Sequence, residues 1–446
     1  MGVRWPPGHS PRARFEGINM KMLMVHNYYQ QGGGEDAVFL AEQDNLRRHG
    51  VEVHTFTLSN DAINGQNPLK IAAQTVWNAR VARQLANMVS ERGIDLVHFH
   101  NTFPLVSPAA YWAVRGRGAA VVQTLHNFRL LCAAANFYRE QEGPGGKTGR
   151  ICEDCIGKLL PLPAVQHSCY RGSRAGSAVV AGMQVAHRLL GSYSRAVDRY
   201  IALSESGRRK LIEGGLSAEL LSVKPNFMVD DPGLSRPELD AGRYALFVGR
   251  LTAEKGILTL LDAWAAVDRT RLAGGKGKQL TLKVAGDGPL LAEAQRRAET
   301  LPGVEVLGRQ DAASVRGLMA RATLLALPSE WYEGFPMTLL EAYACGLPVL
   351  ASDIGALSSL VQDGVTGRHF RPGDAAHLAQ VMEEMLSDPA RLAAMRQAAR
   401  QSYLTHYTAE INAGQQLEIY RQALAHRHGA AQPASEQTSS AAKRAG

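Results

Sequence analysis

Residues 326–364 read ALPSEWYEGFPMTLLEAYACGLPVLASDIGALSSLVQDG, and the fold can be read outward from them. The apolar residues 324–327 predict a buried strand. A turn rich in Pro, Ser and Gly follows, and then Met337, Leu340 and Ala344 recur at helical spacing. Residues 348–351 predict a second buried strand, ending in Ser352-Asp353-Ile354-Gly355. Strand, helix and strand in that order belong to a parallel α/β sheet.

Two carboxylates punctuate the stretch, Glu333 in the turn and Glu341 about one turn inside the helix. The free N–H groups of Phe335, Met337 and Thr338 at the helix start attract phosphate oxygens, and the helix dipole adds to the pull. The flanking carboxylates repel phosphate but accept hydrogen bonds from sugar hydroxyls. A nucleotide-sugar carries both kinds of group. Two solvated surface glutamates would be the commoner fate of this residue type. That reading leaves unexplained the Gly334-Phe335-Pro336 turn between them and the setting of Glu341 among apolar positions.

Upstream, residues 22–25 predict a short strand. The chain then runs through Gly32-Gly33-Gly34-Glu35 into a helix-period run, Ala37, Leu40 and Ala41, that ends at Gly50. Residues 51–58 alternate as a strand and complete a βαβ unit with a Gly-rich first turn. The absence of G-x-G-x-x-G argues against a dinucleotide fingerprint, while the three glycines let a ligand approach the backbone. Strands over 94–99, 120–125 and 200–203 end in His98 to Asn101, His126-Asn127 and Ser204-Glu205-Ser206. Polar residues thus gather at the strand ends where open parallel sheets bind ligands. A hydrogen-bonded structural role is the default for His98.

Between residues 223 and 243 the pattern breaks down around three prolines, as interdomain linkers do. A second α/β series follows. Residues 244–248 end in Gly249-Arg250, residues 280–285 in Gly286-Asp287-Gly288-Pro289, and residues 304–307 in Gly308-Arg309. Leu378, Val381, Met382, Met385 and Leu386 mark an amphipathic helix, and a longer one covers about 392–425. Lys147 and Lys278 each follow a glycine, but neither stretch has the first glycine of a Walker loop. The sequence therefore predicts an extension over 1–19 without structure and a first Rossmann-like domain over 20–225 with a Cys-rich insertion over 132–169. A linker over 226–243 leads to a second Rossmann-like domain over 244–400. A helix over 401–425 packs back towards the first domain, and a disordered tail covers 426–446.

The chain has 446 residues, enough for two cores. Hydrophobic residues make up 45% and charged ones 20%, the balance of a soluble globular protein. The excess of 49 Lys+Arg over 41 Asp+Glu, +8 in all, suits anionic substrates or an anionic membrane surface and is too diffuse for nucleic acid. No apolar run approaches the roughly 18–20 residues that span a bilayer, and residues 1–19 lack the apolar core of a secretory signal. A cytoplasmic protein is expected.

The Glu333…Glu341 pair in EGFPMTLLEAYACG, followed by Pro348-Val349 and by Asp363-Gly364…Gly367, resembles the signature of retaining glycosyltransferases of the GT-B fold, family 4. The resemblance covers about residues 20–420. It implies two Rossmann-like α/β domains with parallel sheets facing across a cleft. It also implies a nucleotide-diphosphate sugar donor held by the second domain and a glycan or lipid-linked acceptor held by the first. Arg250 and Lys255, in VGRLTAEKG, would neutralise the diphosphate as it leaves, with no catalytic metal. Glu333 would hold donor-sugar hydroxyls and Glu341 the ribose. Gly286 and Arg309 would lie on the donor, Arg309 beside the base, and the amides of Phe335, Met337 and Thr338 on phosphate. Across the cleft, His126 in TLHNFRLLC matches the family's histidine near the donor sugar, and the Gly33-Gly34 turn would face the phosphates. The family often carries Glu after Asp353-Ile354-Gly355, where this chain has Ala356-Leu357-Ser358-Ser359. A nucleotide-sugar epimerase, or a binding protein without turnover, is the alternative on the same fold.

Four of the five cysteines, Cys132, Cys152, Cys155 and Cys169, fall in the insertion. Their grouping fits a structural Zn2+ held by thiolates that pins a long irregular loop over 133–150; free thiols are the alternative, and a disulfide does not suit the cytosol. From residue 171 to 210 basic residues dominate, with Val179, Val180, Met183 and Val185 interleaved. A solvated helix face is the plainer reading. The functional one is peripheral docking on an anionic membrane.

Overall fold

The computed structural model of the chain describes residues 20–30, 32–143, 146–234, 243–268, 272 and 280–429. The extension over 1–19, residues 235–242 of the linker and residues 430–446 of the tail lie outside them. Six strands make the first sheet: β1 (Lys21–Tyr28), β2 (Glu52–Ser59), β3 (Leu96–Phe99), β4 (Ala120–Leu125), and, after a hairpin of β5 (Tyr138–Gly143) and β6 (Gly146–Ile151), β7 (Arg199–Ala202) and β8 (Leu221–Val223). The second sheet holds β9 (Arg243–Val248), β10 (Leu280–Ala285), β11 (Val304–Gly308), β12 (Leu324–Leu327), β13 (Val349–Ser352) and β14 (Gly367–Phe370).

All pairings within the two large sheets are parallel, in the orders β2-β1-β3-β4-β7-β8 and β11-β10-β9-β12-β13-β14. This is the two-lobed, doubly wound architecture of the GT-B fold. The central strands β3, β4, β12 and β13 are buried at every position because both faces are covered, whereas the edge strands β2 and β11 are partly exposed. In the first lobe Leu23, Val25, Val97, Phe99 and Val121 point to one core, and Met22, Met24, Leu96, Ala120 and Val122 to the other. In the second, Phe247, Leu282 and Leu324 oppose Leu246, Leu325 and Val349 in the same way.

Strand order reverses between β1 and β3 in the first sheet and between β9 and β12 in the second. Ligands of such sheets bind at the carboxyl ends beside that switch point. The two switch points meet. A Cβ on Gly34, after β1, would lie 3.6 Å from Met337, and one on Gly334, after β12, would lie 2.7 Å from the His126 carbonyl oxygen after β4. Asn226 Nδ2 donates to Met337 Sδ at 3.5 Å from the connection between the lobes.

Four expectations change. Residues 138–143 and 146–150 are strand rather than irregular loop, since β5 and β6 pair from Tyr138↔Ile151 to Gly143↔Gly146. The long helix over 392–425 is two, Pro389–His406 and Ala409–Gly429. It breaks where Tyr407, 6% exposed, plugs into the second lobe and the chain crosses to the first. The second of these helices runs to Gly429, so residues 426–429 are helical rather than tail. Its Leu417, Ile419, Tyr420 and Ala423 close the outer face of the first sheet. The helix Arg174–Leu189 buries Val180 and Met183 against the first lobe, so those apolar residues are core.

Candidate active site between the lobes

On the second-lobe side, Lys255 Nζ donates to Glu333 Oε1 at 2.6 Å, and Ser329 Oγ donates to the same oxygen at 2.7 Å. Glu333 is 7% exposed. The pair exists because two loops touch. Gly256 sits at φ +68, and a Cβ there would fall 1.8 Å from the Pro328 carbonyl oxygen. Only glycine lets the Ala253–Lys255 turn lie on the loop after β12. Glu330 N donates to Glu254 O at 2.8 Å and fixes the register of that contact.

Arg250, just after β9, is exposed and forms no ion pair among the described residues. Its loop is also held by glycine, because a Cβ on Gly286 would fall 1.8 Å from the Gly249 carbonyl oxygen. The structure thus gives Gly286 a packing reason of its own, separate from any contact with a ligand. Arg309 is exposed at the end of β11, after Gly308 at φ +65. Glu341 is half-buried. Burial pushes its carboxyl up, opposed by Arg316 on the helix Ala312–Arg321. The Phe335 side chain is 8% exposed and packs in the second-lobe core, its ring 6.0 Å from that of Tyr407. What Phe335 offers a ligand is its amide. Among the described residues the amides of Phe335, Met337 and Thr338 meet no protein acceptor, as the first turn of a helix dictates.

On the first-lobe side, Gly33 and Gly34 open the helix Gly34–Arg48, and Asp36 Oδ2 accepts from Gly33 N at 3.0 Å. His126 lines a cavity of about 40 Å³ with Tyr29, Glu35, Asn101, Asn127 and Arg129 among its walls. Glu35 escaped the sequence reading as a functional group. Burial pushes its carboxyl up to about 7, against the pull of Tyr29, Arg129 and Asn127.

Behind His126 runs a buried chain of polar groups. His126 Nε2 shares a hydrogen bond with His100 Nδ1 at 3.0 Å, His100 Nε2 stands 3.5 Å from Glu42 Oε2, and Lys224 Nζ donates to Glu42 Oε1 at 2.5 Å. Lys224 and Glu42 are 0% and 1% exposed. Burial alone would push Glu42 up, but Lys224 and then His98 outweigh it and hold the carboxyl below its usual range. Burial pushes His126 down to about 3, partly offset by Glu42. His126 is therefore a neutral hydrogen-bonding group in the cleft, not an acid.

Ligand atoms of Glu42, His98 and His100 lie within 4.8 Å of one another. They do not make a cation site. Lys224 occupies Glu42, and both ring nitrogens of His98 are taken, by Tyr420 Oη and Thr124 Oγ1, each at 2.8 Å. Cys132, Cys152, Cys155 and Cys169 line a single cavity in the insertion, apart from the cleft.

Two family descriptions match the sequence, "Glycosyl transferases group 1" over residues 236–402 and "Glycosyltransferase Family 4" over residues 33–231. A glycogen synthase of Mycobacterium tuberculosis is 30% identical over 280 residues, 61% of this chain and 65% of its own length. An alpha-maltose-1-phosphate synthase of the same organism is 34% identical over 41% of this chain and 48% of its own. The chain thus spans less than two thirds of the one and about half of the other. An uncharacterized glycosyltransferase of Methanocaldococcus jannaschii is 29% identical over 83% of this chain and 90% of its own. Among solved structures, a glycosyltransferase from Rickettsia africae superposes with a TM-score of 0.64 at 16% identity, over 91% of this chain and 99% of its own. HepE of Anabaena, solved with UDP, superposes with a TM-score of 0.61 at 20% identity, over 92% and 100%. At these identities the likeness to solved structures is one of fold.

Proposed function

Because the chain belongs to the group 1 glycosyltransferases of the GT-B fold, we propose that it transfers a sugar from a nucleotide-diphosphate sugar to a glycan or lipid-linked acceptor, retaining the anomeric configuration. The observation that carries this reading is the Lys255–Glu333 pair at the switch point of the second sheet, in the same loop-and-helix stretch as the open amides of Phe335, Met337 and Thr338. That HepE and its complexes hold UDP and UDP-glucose supports a diphosphate donor.

In the reaction the bond from the anomeric carbon to the diphosphate breaks, and a bond to the acceptor oxygen forms on the same face. The departing phosphate oxygen takes the acceptor proton. Arg250, Lys255 and the helix amides hold the charge that builds on the diphosphate. Glu333 and Glu341 accept hydrogen bonds from sugar and ribose hydroxyls. Neutral His126 adds a hydrogen bond at the donor sugar, and the catalysis needs no metal. Closure of the lobes about the paired crossings at residues 224–228 and 407–412 excludes water. Exposed Leu159, Leu160, Leu162 and Leu189, near Arg188 and Arg195, offer an apolar and basic surface for peripheral contact with an anionic membrane. Among the described residues no helix is long and apolar enough to cross one.

A screen of nucleotide-diphosphate sugars tests the reading, with release of nucleoside diphosphate as the signal. Lys255→Ala and Glu333→Ala are expected to lose at least about 100-fold in turnover while melting as folded proteins. Wild-type rates in either variant would remove that residue from the mechanism. Isomerised donor without release would point to an epimerase, and binding with neither to a sensor. Running the assay with vesicles of anionic against zwitterionic lipid tests the membrane contact, which faster turnover on anionic vesicles supports and equal rates oppose.

A further inference from the structure

The Cys-rich excursion between β4 and the helix Arg174–Leu189 has a problem of support. Phe128, Leu130, Leu131 and Phe137 join the main core of the first lobe, but around Cys155 and Cys169 the apolar cluster is small, built of Ala133, Cys155 and Ala164 against Phe103, Val180 and Met183. Yet its backbone is held in an unusual shape. Ala135 at φ +71, Phe137 at +52, Ser168 at +52 and Arg171 at +53 are four of the five non-glycine residues with positive φ among those described. Each such residue costs on the order of 1–3 kcal/mol and persists only where its surroundings over-determine it.

Between these strained points lies the cavity walled by Cys132, Cys152, Cys155 and Cys169, with a volume of about 20 Å³. That is room for a single water-sized particle. All four thiols are free. They come from three separate points: the turn after β4, the Cys152–Cys155 turn after β6, and the approach to the helix Arg174–Leu189. One ion held by all four would tie those points together.

We propose that Cys132, Cys152, Cys155 and Cys169 bind one structural Zn2+ as four thiolates. Binding forms four Zn–S bonds and releases four thiol protons to solvent, with no change of oxidation state. The four sulfurs do not all lie within 4.8 Å of one another, so binding the ion requires them to draw together around it. The pinned excursion reaches the other lobe. The Phe137 ring lies 6.1 Å from that of Tyr332, Glu153 pairs at 2.7 Å with Lys210 of its own lobe, whose ammonium stands 5.4 Å from the Tyr332 ring centroid, and β6 packs on the turn that carries Lys255. The ion therefore braces a wall of the cleft without touching the chemistry.

The test is metal content of the full chain purified without chelator, followed by replacement with Co2+ under reducing conditions. About one zinc per chain is expected, lost in Cys155→Ser and Cys169→Ser and kept in Cys345→Ser, since Cys345 is core of the other lobe. Co2+ should give the intense visible absorption of a tetrahedral thiolate site. Should the Cys155 variant fail to fold, the Co2+ spectrum of the unaltered chain still decides. Zinc-free protein that takes up no Co2+ overturns the proposal, as does a native mass showing the four cysteines joined in disulfides.

Discussion

Glu35 is held against its chemistry. Its Oε1 is buried without a hydrogen-bond partner among the described residues, and burial raises its carboxyl to about 7. Between the ordinary carboxylate pKa near 4.5 and 7, the folded protein keeps a proton that the unfolded chain has released. Stability contributed by the protonated form is complete below the unfolded value and lost as pH rises through 7. Glu35→Gln should therefore melt higher than wild type at pH 8, by on the order of 1–3 kcal/mol, with the gain gone near pH 4. Thermal unfolding across that range checks it, and an equal gain at both ends would show that ionisation is not the cause. His126 works in the other direction. With its pKa lowered to about 3, its contribution is present above the unfolded value near 6.5 and is lost as pH falls towards 3. At this scale the sequence singled out Lys255 and Glu333, which the fold brings into contact, and Glu341, whose proposed role rests on its spacing from Glu333. Glu42 and Lys224 stayed hidden, because a glutamate on a helix becomes a buried ion only through a partner 182 residues away.

Elements place those residues through contacts between loops, and there glycine decides. Gly256 combines φ +68 with a Cβ position 1.8 Å from the Pro328 carbonyl oxygen. Gly256→Ala should cost about 2–4 kcal/mol, from left-handed strain and from parting the two loops. It should also lower turnover with Lys255 itself intact. Gly33, at φ −132 with open space around its Cβ position, is the control, and Gly33→Ala should melt within about 0.5 kcal/mol of wild type. Equal melting of the two variants would refute the loop-contact account. Buried strands such as β4 and β12 were legible at their true bounds from their apolar runs, which mark strands covered on both faces, and β10 from its alternation of Leu280, Leu282 and Val284 with Thr281 and Lys283. The β5–β6 hairpin was not. Its strands, YREQEG and GKTGRI, have no apolar alternation, and their pairing is set by chain reversal rather than by a core. The break at Tyr407 was equally silent, because no glycine or proline marks it and its cause is the crossing between lobes.

The molecule is held as a pair of lobes by two crossings of the chain that are fastened to each other. One runs from Lys224 to Met228 and the other from Tyr407 to Asn412. Met228 N donates to the Tyr407 carbonyl at 3.2 Å, and Asn412 Nδ2 to the Pro225 carbonyl at 3.0 Å. Beyond the second crossing, the helix Ala409–Gly429 belongs structurally to the first lobe, where Tyr420 meets His98. Any closing motion must turn about this double strand, and Lys224 anchors it to the first lobe through Glu42. An ion pair this deeply buried is costly to make and more costly to break, because removing one partner leaves the other charged and unpaired. Lys224→Met should thus destabilise the first lobe by about 3–5 kcal/mol, whereas Lys224→Met combined with Glu42→Leu should recover most of that loss. Hydrogen exchange gives the reading by lobe. In the single variant protection should fall in β1, β3 and β4 while β9 and β12 keep theirs, and in the double variant it should return. A single variant as protected as wild type would mean that water reaches Glu42, and that the anchor is not the dry pair the geometry describes.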